Sequence, residues 1–351
     1  MSGKKIKGRS TVYNYISSPE KLKQVNPKNL ELQKDFIDYL TAAGKSKSTI
    51  YQYNNNINIF WCWNLEYNNN KFFVKLRKRE FSRFQSHALN EWGWSPKRLR
   101  TVKATISSMG IFIENVLDDE FIGYKSIVNK IESPPDVPVR EKSIFTVNEL
   151  QRLLDYLVEH ELYEEACALS LAMNSGRRLA EIPRFKVSYF DKSNLICEGA
   201  LYKTPEKIVT KGRGIEGKLL DVYILAKPFQ PYFDLWINER NKLKIKSKWL
   251  FPVYKDGKWM DKPINERTMV KWANLFSTLL KKHFYWHSLR HFFTTKLSEA
   301  NIPESIIKEI QGWESIEMVN HYIDTQTEKK LDKYFGAEGI KDVRSIGLTE
   351  L

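Results

Sequence analysis

The chain has 351 residues, enough for two domains with separate cores, and its 42% hydrophobic and 13% aromatic content excludes a disordered polymer. With 56 Lys and Arg against 42 Asp and Glu, a formal charge of +14 is spread along the chain, which favours a polyanionic partner over a merely soluble basic surface. Cys62, Cys167 and Cys197 are too scattered for a zinc site or a disulfide framework and read as small buried hydrophobes in a reducing, cytoplasmic setting. No apolar stretch follows the basic N-terminus and no run of about 18 apolar residues occurs, so neither secretion nor membrane spanning is expected.

Residues 1–25 are polar and basic without a hydrophobic period and read as a flexible arm. From Asn26, Leu30, Leu32, Phe36, Ile37 and Leu40 recur at helical spacing, ending near Gly44. A second helix is predicted from Ser48 to Tyr67, with Ser46 and Ser48 as candidate caps, and its aromatic stripe is read as core. A third spans Lys75 to Glu91. Ser95 and Pro96 open a fourth that runs through Asn115. Lys97, Arg98, Arg100 and Lys103 crowd its first turns, where cations oppose the helix dipole, and DNA phosphate is the expected ligand, with a solvated face as the alternative.

Three prolines between Ile131 and Arg140 make residues 131–143 a stiff linker after a helical domain over 26–130. Thr146 and Glu149 form a capping box ahead of a leucine stripe that opens the second domain, 144–335, and residues 336–351 remain as a tail. Strand-like runs at Leu195 to Cys197, Lys207 to Val209 and Leu219 to Leu225 predict a small antiparallel sheet. Helices resume at Pro231 to Leu243, Asn265 to His283, Ser288 to Ala300 and Pro303 to Gln311. The fold class expected is mainly α with a small antiparallel β-sheet.

Several polar residues of the second domain lack a structural reason. In SGRRLAEI, Ser175 to Ile182, a glycine breaks a helical pattern and presents Arg178, whose planar fork suits two phosphate oxygens; taken by itself, the motif is better read as a surface ion pair. His287, Arg290 and His291 in HSLRH share a helical face as a prospective anion site, and zinc is disfavoured because no helix-borne carboxylate accompanies the two histidines. Tyr322, among 17 tyrosines, gains meaning only from its company.

Taken in order over Ile144 to Phe335, SGRRLAEI, TKGRG after a strand, HSLRH, and Gly312-Trp313 with Tyr322 resemble the catalytic domain of the tyrosine recombinase (phage integrase) family, which includes Cre- and Xer-like site-specific recombinases. The first motif is similar to T-G-L-R-x-x-E-L, placing a catalytic arginine at Arg178 and a supporting carboxylate at Glu181. H-x-L-R-H matches in full, implying His287 and Arg290 as catalytic and His291 as support. Trp313 stands where most members carry histidine, a replacement also found in Cre-like recombinases, and Tyr322 falls on the nucleophile. The family's lysine lies in a turn between strands; Lys211 matches best, with Lys203, Lys207 and Lys218 competing, and Arg213 in the same turn is expected on DNA. Arg177 and Gln311 stand where leucine is usual or frequent.

The resemblance implies a two-domain architecture of helical core-binding domain and mixed α+β catalytic domain. It also implies recombination of specific double-stranded DNA sites through a 3′-phosphotyrosyl link, as in integration or excision of a mobile element, without metal, ATP or other cofactor. A homo-oligomer is expected, monomer or dimer when free and tetramer on DNA. The tail after Asp324 would dock on a neighbouring protomer or fold back on its own domain. A DNA-binding regulator that keeps the fold without recombining is the alternative, and a type IB topoisomerase or telomere resolvase would share the residues but differ in product.

Overall fold

A computed structural model describes residues 16–135, 143–210 and 217–323, together with the backbone of two short strands at 335–336 and 339–340. Two compact units divide between Glu141 and Lys142. The part of the expected arm before Ile16 lies outside the described residues, as do most of the tail and the later part of the linker.

The first unit is helical: α1 (Pro19–Leu22), α2 (Pro27–Ala42), α3 (Lys47–Tyr67), α4 (Lys78–Asn90) and α5 (Pro96–Val116). Each of α1, α2 and α5 carries proline in its first turn behind a Ser or Asn cap, where the missing N–H costs no hydrogen bond. Packing begins earlier than the arm boundary at residue 25 suggested, because Ile16 and Val25 are buried and Lys21 pairs with Glu66 at 2.5 Å. A four-residue helix is too short to show a hydrophobic period. The aromatic stripe of α3 is core, with Phe60, Trp61 and Trp63 buried among Phe73, Phe81 and Phe84.

In the second unit, α6 (Val147–Glu159) starts at the anticipated capping box, with Glu149 N donating to Thr146 Oγ1 at 3.2 Å and Thr146 N donating to Glu149 Oε2 at 2.8 Å. It buries Leu150, Leu153, Leu154 and Leu157 beside α7 (Tyr163–Ser175), a helix enclosed along nearly its whole length. The remaining helices are α8 (Ala226–Lys242), α9 (Glu266–Leu280), α10 (Trp286–Glu299), α11 (Glu304–Gln311) and α12 (Glu317–Tyr322).

Sheet structure is more divided than the sequence suggested. Strands β1 (Leu195–Ile196), β2 (Leu201–Lys203), β3 (Ile208–Thr210), β4 (Lys218–Leu220) and β5 (Tyr223–Leu225) form a three-stranded antiparallel sheet, β1-β2-β5, and a separate hairpin, β3-β4. A further hairpin, β6 (Pro252–Lys255) with β7 (Lys258–Pro263), turns at Asp256-Gly257, both with positive φ, and was not anticipated because its residues are mostly exposed and show no apolar–polar alternation. A last pair joins β8 (Phe335–Gly336) to β9 (Gly339–Ile340). Helix α8 begins at Ala226 rather than at Pro231, which sits inside it near its start. Cys62 and Cys167 are buried as expected, whereas Cys197 is exposed at φ +52 in the turn after β1, so turn geometry overrides its apolar character there.

Candidate active site

Helix α7 ends because Gly176 adopts φ +61 as its C-cap. A Cβ there would also lie 2.4 Å from Gln311 Nε2 and 2.7 Å from Phe293, so glycine is required twice over. The turn that follows delivers Arg178, whose side chain is 24% exposed and whose Nη1 donates to Glu181 Oε1 at 3.0 Å. The other Glu181 oxygen accepts from Arg178 N at 3.1 Å. Burial pushes the Glu181 carboxyl up, but Arg177, Arg178 and these hydrogen bonds outweigh it and hold the group below the usual range. Glu181 therefore stays ionised and fixes Arg178.

Helix α10 brings the HSLRH residues to the same place. Arg290 is fully buried, with Nη1 donating to the Gly176 carbonyl at 2.9 Å and Nη2 to the Gln311 carbonyl at 2.8 Å. Its Nε is buried with no hydrogen-bond partner. Arg290 thus commits one N–H of each terminal nitrogen to the backbone, and its Nε is the nitrogen left wholly without an acceptor. Burial, then the guanidiniums of Arg177 and Arg178, draw it well below the usual arginine range.

Tyr322 closes α12 with 7% of its surface exposed, and its Oη lies 2.7 Å from His287 Nε2. The ring stacks on Trp313 at 4.7 Å between centroids and lies 4.4 Å from His291. Trp313 Nε1 is a second buried donor without a partner, and the Arg290 guanidinium lies 4.8 Å from the Trp313 ring. Burial foremost, then His291, Arg290, Arg178 and His321, lower the His287 imidazole to about 4. At neutral pH the ring is uncharged and can accept the phenolic proton.

Arg178, Glu181, His287, Arg290, His291, Trp313 and Tyr322 are therefore gathered around one centre. Lys211 and Arg213 lie outside the described residues, in the connection from β3 to β4. Of the competing lysines, Lys218 places Nζ 3.5 Å from the Gly312 carbonyl, Lys203 faces Asp221 at 3.8 Å, and Lys207 is exposed. The β4 strand also meets the helix end at Gly312, where φ is +69 and a Cβ would strike Leu220.

The four basic residues of α5 divide. Lys97 is exposed on the first turn. Arg98 donates to Asn56 Oδ1 at 2.9 Å and lies over Trp94, Arg100 donates to the Pro134 carbonyl at 2.8 Å, and Lys103 binds Ser133 Oγ at 2.9 Å and the Ile131 carbonyl. Three of the four thus make hydrogen bonds to α3 or to the start of the linker. The sequence offered one signal for residues it underrated: Arg177 and Gln311, two polar residues where leucine was expected, touch each other.

Among the described residues no helix is long and apolar enough to cross a membrane. Residues 143–329, more than half of the chain, match the Phage integrase family, and residues 32–122 match the family described as Phage integrase, N-terminal SAM-like domain. The chain is 30% identical over 220 residues to the SPbeta prophage-derived recombinase-like protein YomM of Bacillus subtilis, covering 62% of this chain and 64% of that protein. It therefore spans under two thirds of that relative's length. It is 23% identical over 313 residues to a tyrosine recombinase of Thermosipho africanus, covering 85% of this chain and 96% of the relative. Its fold is similar to that of the XerH site-specific recombinase bound to palindromic difH substrate in a post-cleavage complex, with TM-score 0.61, 15% identity, and 95% and 90% of the two chains covered. With the motif residues converging in space and both family matches in chain order, this protein belongs to the phage integrase family.

Proposed function

We propose that this chain is a site-specific tyrosine recombinase that cuts and rejoins duplex DNA through Tyr322. The observation that carries the reading is the 2.7 Å contact between Tyr322 Oη and His287 Nε2, beside two arginines and with the imidazole neutral. A free tyrosine titrates near about 10 and is a poor nucleophile at neutral pH, so it needs a proton acceptor within reach, and the uncharged His287 ring is in that position.

In the first step the Tyr322 oxygen bonds to the scissile phosphorus, its proton passes to His287, and the bond from phosphorus to the 5′ oxygen breaks. Lys211 protonates that leaving oxygen, and the free 5′-hydroxyl of a partner strand later reverses the same step to expel tyrosine. Arg178, the uncommitted Nε of Arg290 and the Trp313 indole N–H are donors for the nonbridging oxygens, where charge grows as phosphorus becomes five-coordinate. A phosphate would also give those two buried donors the acceptors they lack.

Exchange between two duplexes requires four such centres, so the active assembly is a tetramer on double-stranded DNA. Lys97 and Arg213 serve phosphate contacts away from the reaction. The test is to mix the protein with nicked duplexes from its own genomic neighbourhood and look for a denaturation-resistant adduct. An adduct lost in Tyr322→Phe supports the reading. Tight, specific binding with no adduct points instead to a DNA-binding regulator.

A further inference from the structure

Arg177, immediately before the partly exposed Arg178, is fully buried. Its Nε donates to the Ser175 carbonyl at 3.1 Å, and its Nη2 donates to the Ile310 carbonyl at 2.7 Å and reaches Gln311 Oε1 at 3.4 Å. Its Nη1 is buried without a hydrogen-bond partner. Arg290 enters the same turn from α10 and holds the carbonyls of Gly176 and Gln311. Two guanidiniums thereby tie the end of α11 to the end of α7, directly before Gly312 and the Trp313 that stacks on Tyr322.

A buried cation with an unpaired N–H destabilises a fold relative to an apolar side chain of similar length. Arg240 in the same unit shows how a purely structural arginine is accommodated: it donates to the carbonyls of Ser247, Trp249 and Leu250, and none of its buried nitrogens lacks a partner. Arg177 departs from that pattern, and the carboxylate beside it, Glu181, is already engaged by Arg178. Three arginines therefore act on one carboxylate, an excess of positive charge that suits an anion.

We propose that Arg177 is a positioning residue of the cleavage reaction that does not itself touch DNA. Through Ile310 and Gln311 it sets the turn from which Arg290 and Trp313 take their places, and its buried charge, hydrogen-bonded to no carboxylate, favours the extra negative charge that the phosphate gains during cleavage. This rests on the reading of Arg290 and Tyr322 as cleavage residues.

Single-turnover cleavage of nicked duplex DNA from the protein's own genomic neighbourhood, at saturating DNA, tests it alongside thermal melting. Gln311→Glu places a carboxylate against Arg177, so the melting temperature should rise while cleavage slows by about tenfold or more and affinity stays within about threefold. Arg177→Met should slow cleavage by about thirtyfold or more per folded molecule, and Arg177→Lys, which keeps the charge, should recover part of that loss. A merely structural arginine predicts stability and rate moving together. Gln311→Glu or Arg177→Met cleaving at the wild-type rate per folded molecule overturns the proposal, and if Arg177→Met does not fold, Gln311→Glu decides alone. Tyr322→Phe is run in parallel: an adduct that persists there overturns the Tyr322 reading and this proposal together, whereas an adduct lost there with wild-type rates in the other variants overturns only the role of Arg177.

Discussion

The phenolic oxygen of Tyr322 and Nε2 of His287 lie 2.7 Å apart although 35 residues separate them in sequence. The contact joins the end of α12 to the first turn of α10 and places an uncharged imidazole on the atom proposed as the nucleophile. Tyr322→Phe removes that atom and little else, because the ring keeps its stack on Trp313. Covalent adduct formation should vanish while specific DNA binding stays within about tenfold, with a stability change of about 1 kcal/mol from the lost hydrogen bond. Gel-shift affinity and denaturing electrophoresis on one nicked duplex measure both; a loss of binding equal to the loss of adduct would make the tyrosine structural.

The His287 imidazole, lowered to about 4 in the folded chain, titrates near about 6.5 when unfolded. Between those values the unfolded chain binds the extra proton, so stability is fully present above about 6.5 and is lost as pH falls toward 4. Melting temperatures should fall over that window, and less steeply in His287→Gln. Histidine ring resonances followed by NMR give the titration directly, and a His287 midpoint near that of a free imidazole would refute the assignment of a buried neutral base.

Arg178 and Arg290 should fail differently. Arg178 is partly exposed, so Arg178→Ala is expected to slow cleavage by about a hundredfold to a thousandfold and to lower stability less than Arg290→Met, because the buried Glu181 carboxylate keeps Arg177 beside it. Arg290→Met leaves the Gly176 and Gln311 carbonyls without their donors and should cost about 1–3 kcal/mol for each in addition to the catalytic loss. Urea unfolding beside single-turnover cleavage separates the two, and equal effects of the variants on stability would contradict the difference in burial.

On α5, Lys97→Ala should lower the slope of log affinity against log salt by about 0.9 without affecting stability, as expected for one released phosphate contact. Lys103→Ala should instead loosen the segment it holds at Ile131 and Ser133, visible as faster amide exchange there. Identical salt slopes for wild type and Lys97→Ala would remove this lysine from the DNA surface.

Helices with a strong apolar stripe and a capping signal were legible from the residues alone: Thr146 with Glu149, and Ser95 with Pro96, mark helix starts through hydrogen bonds made within four residues. The ordered motifs likewise indicated which side chains would gather at one centre, since HSLRH constrains its own spacing on one helix. Tertiary structure decided what no local pattern encodes. It showed that Arg290 spends two of its donors on the backbone, that Lys103 ties the linker start to α5, and that Arg177 and Gln311, 134 residues apart, answer each other beneath the site. Caps and periodicity depend on neighbours along the chain, whereas the pairing of a buried charge depends on carbonyls delivered by other helices, and only the folded arrangement brings those within reach.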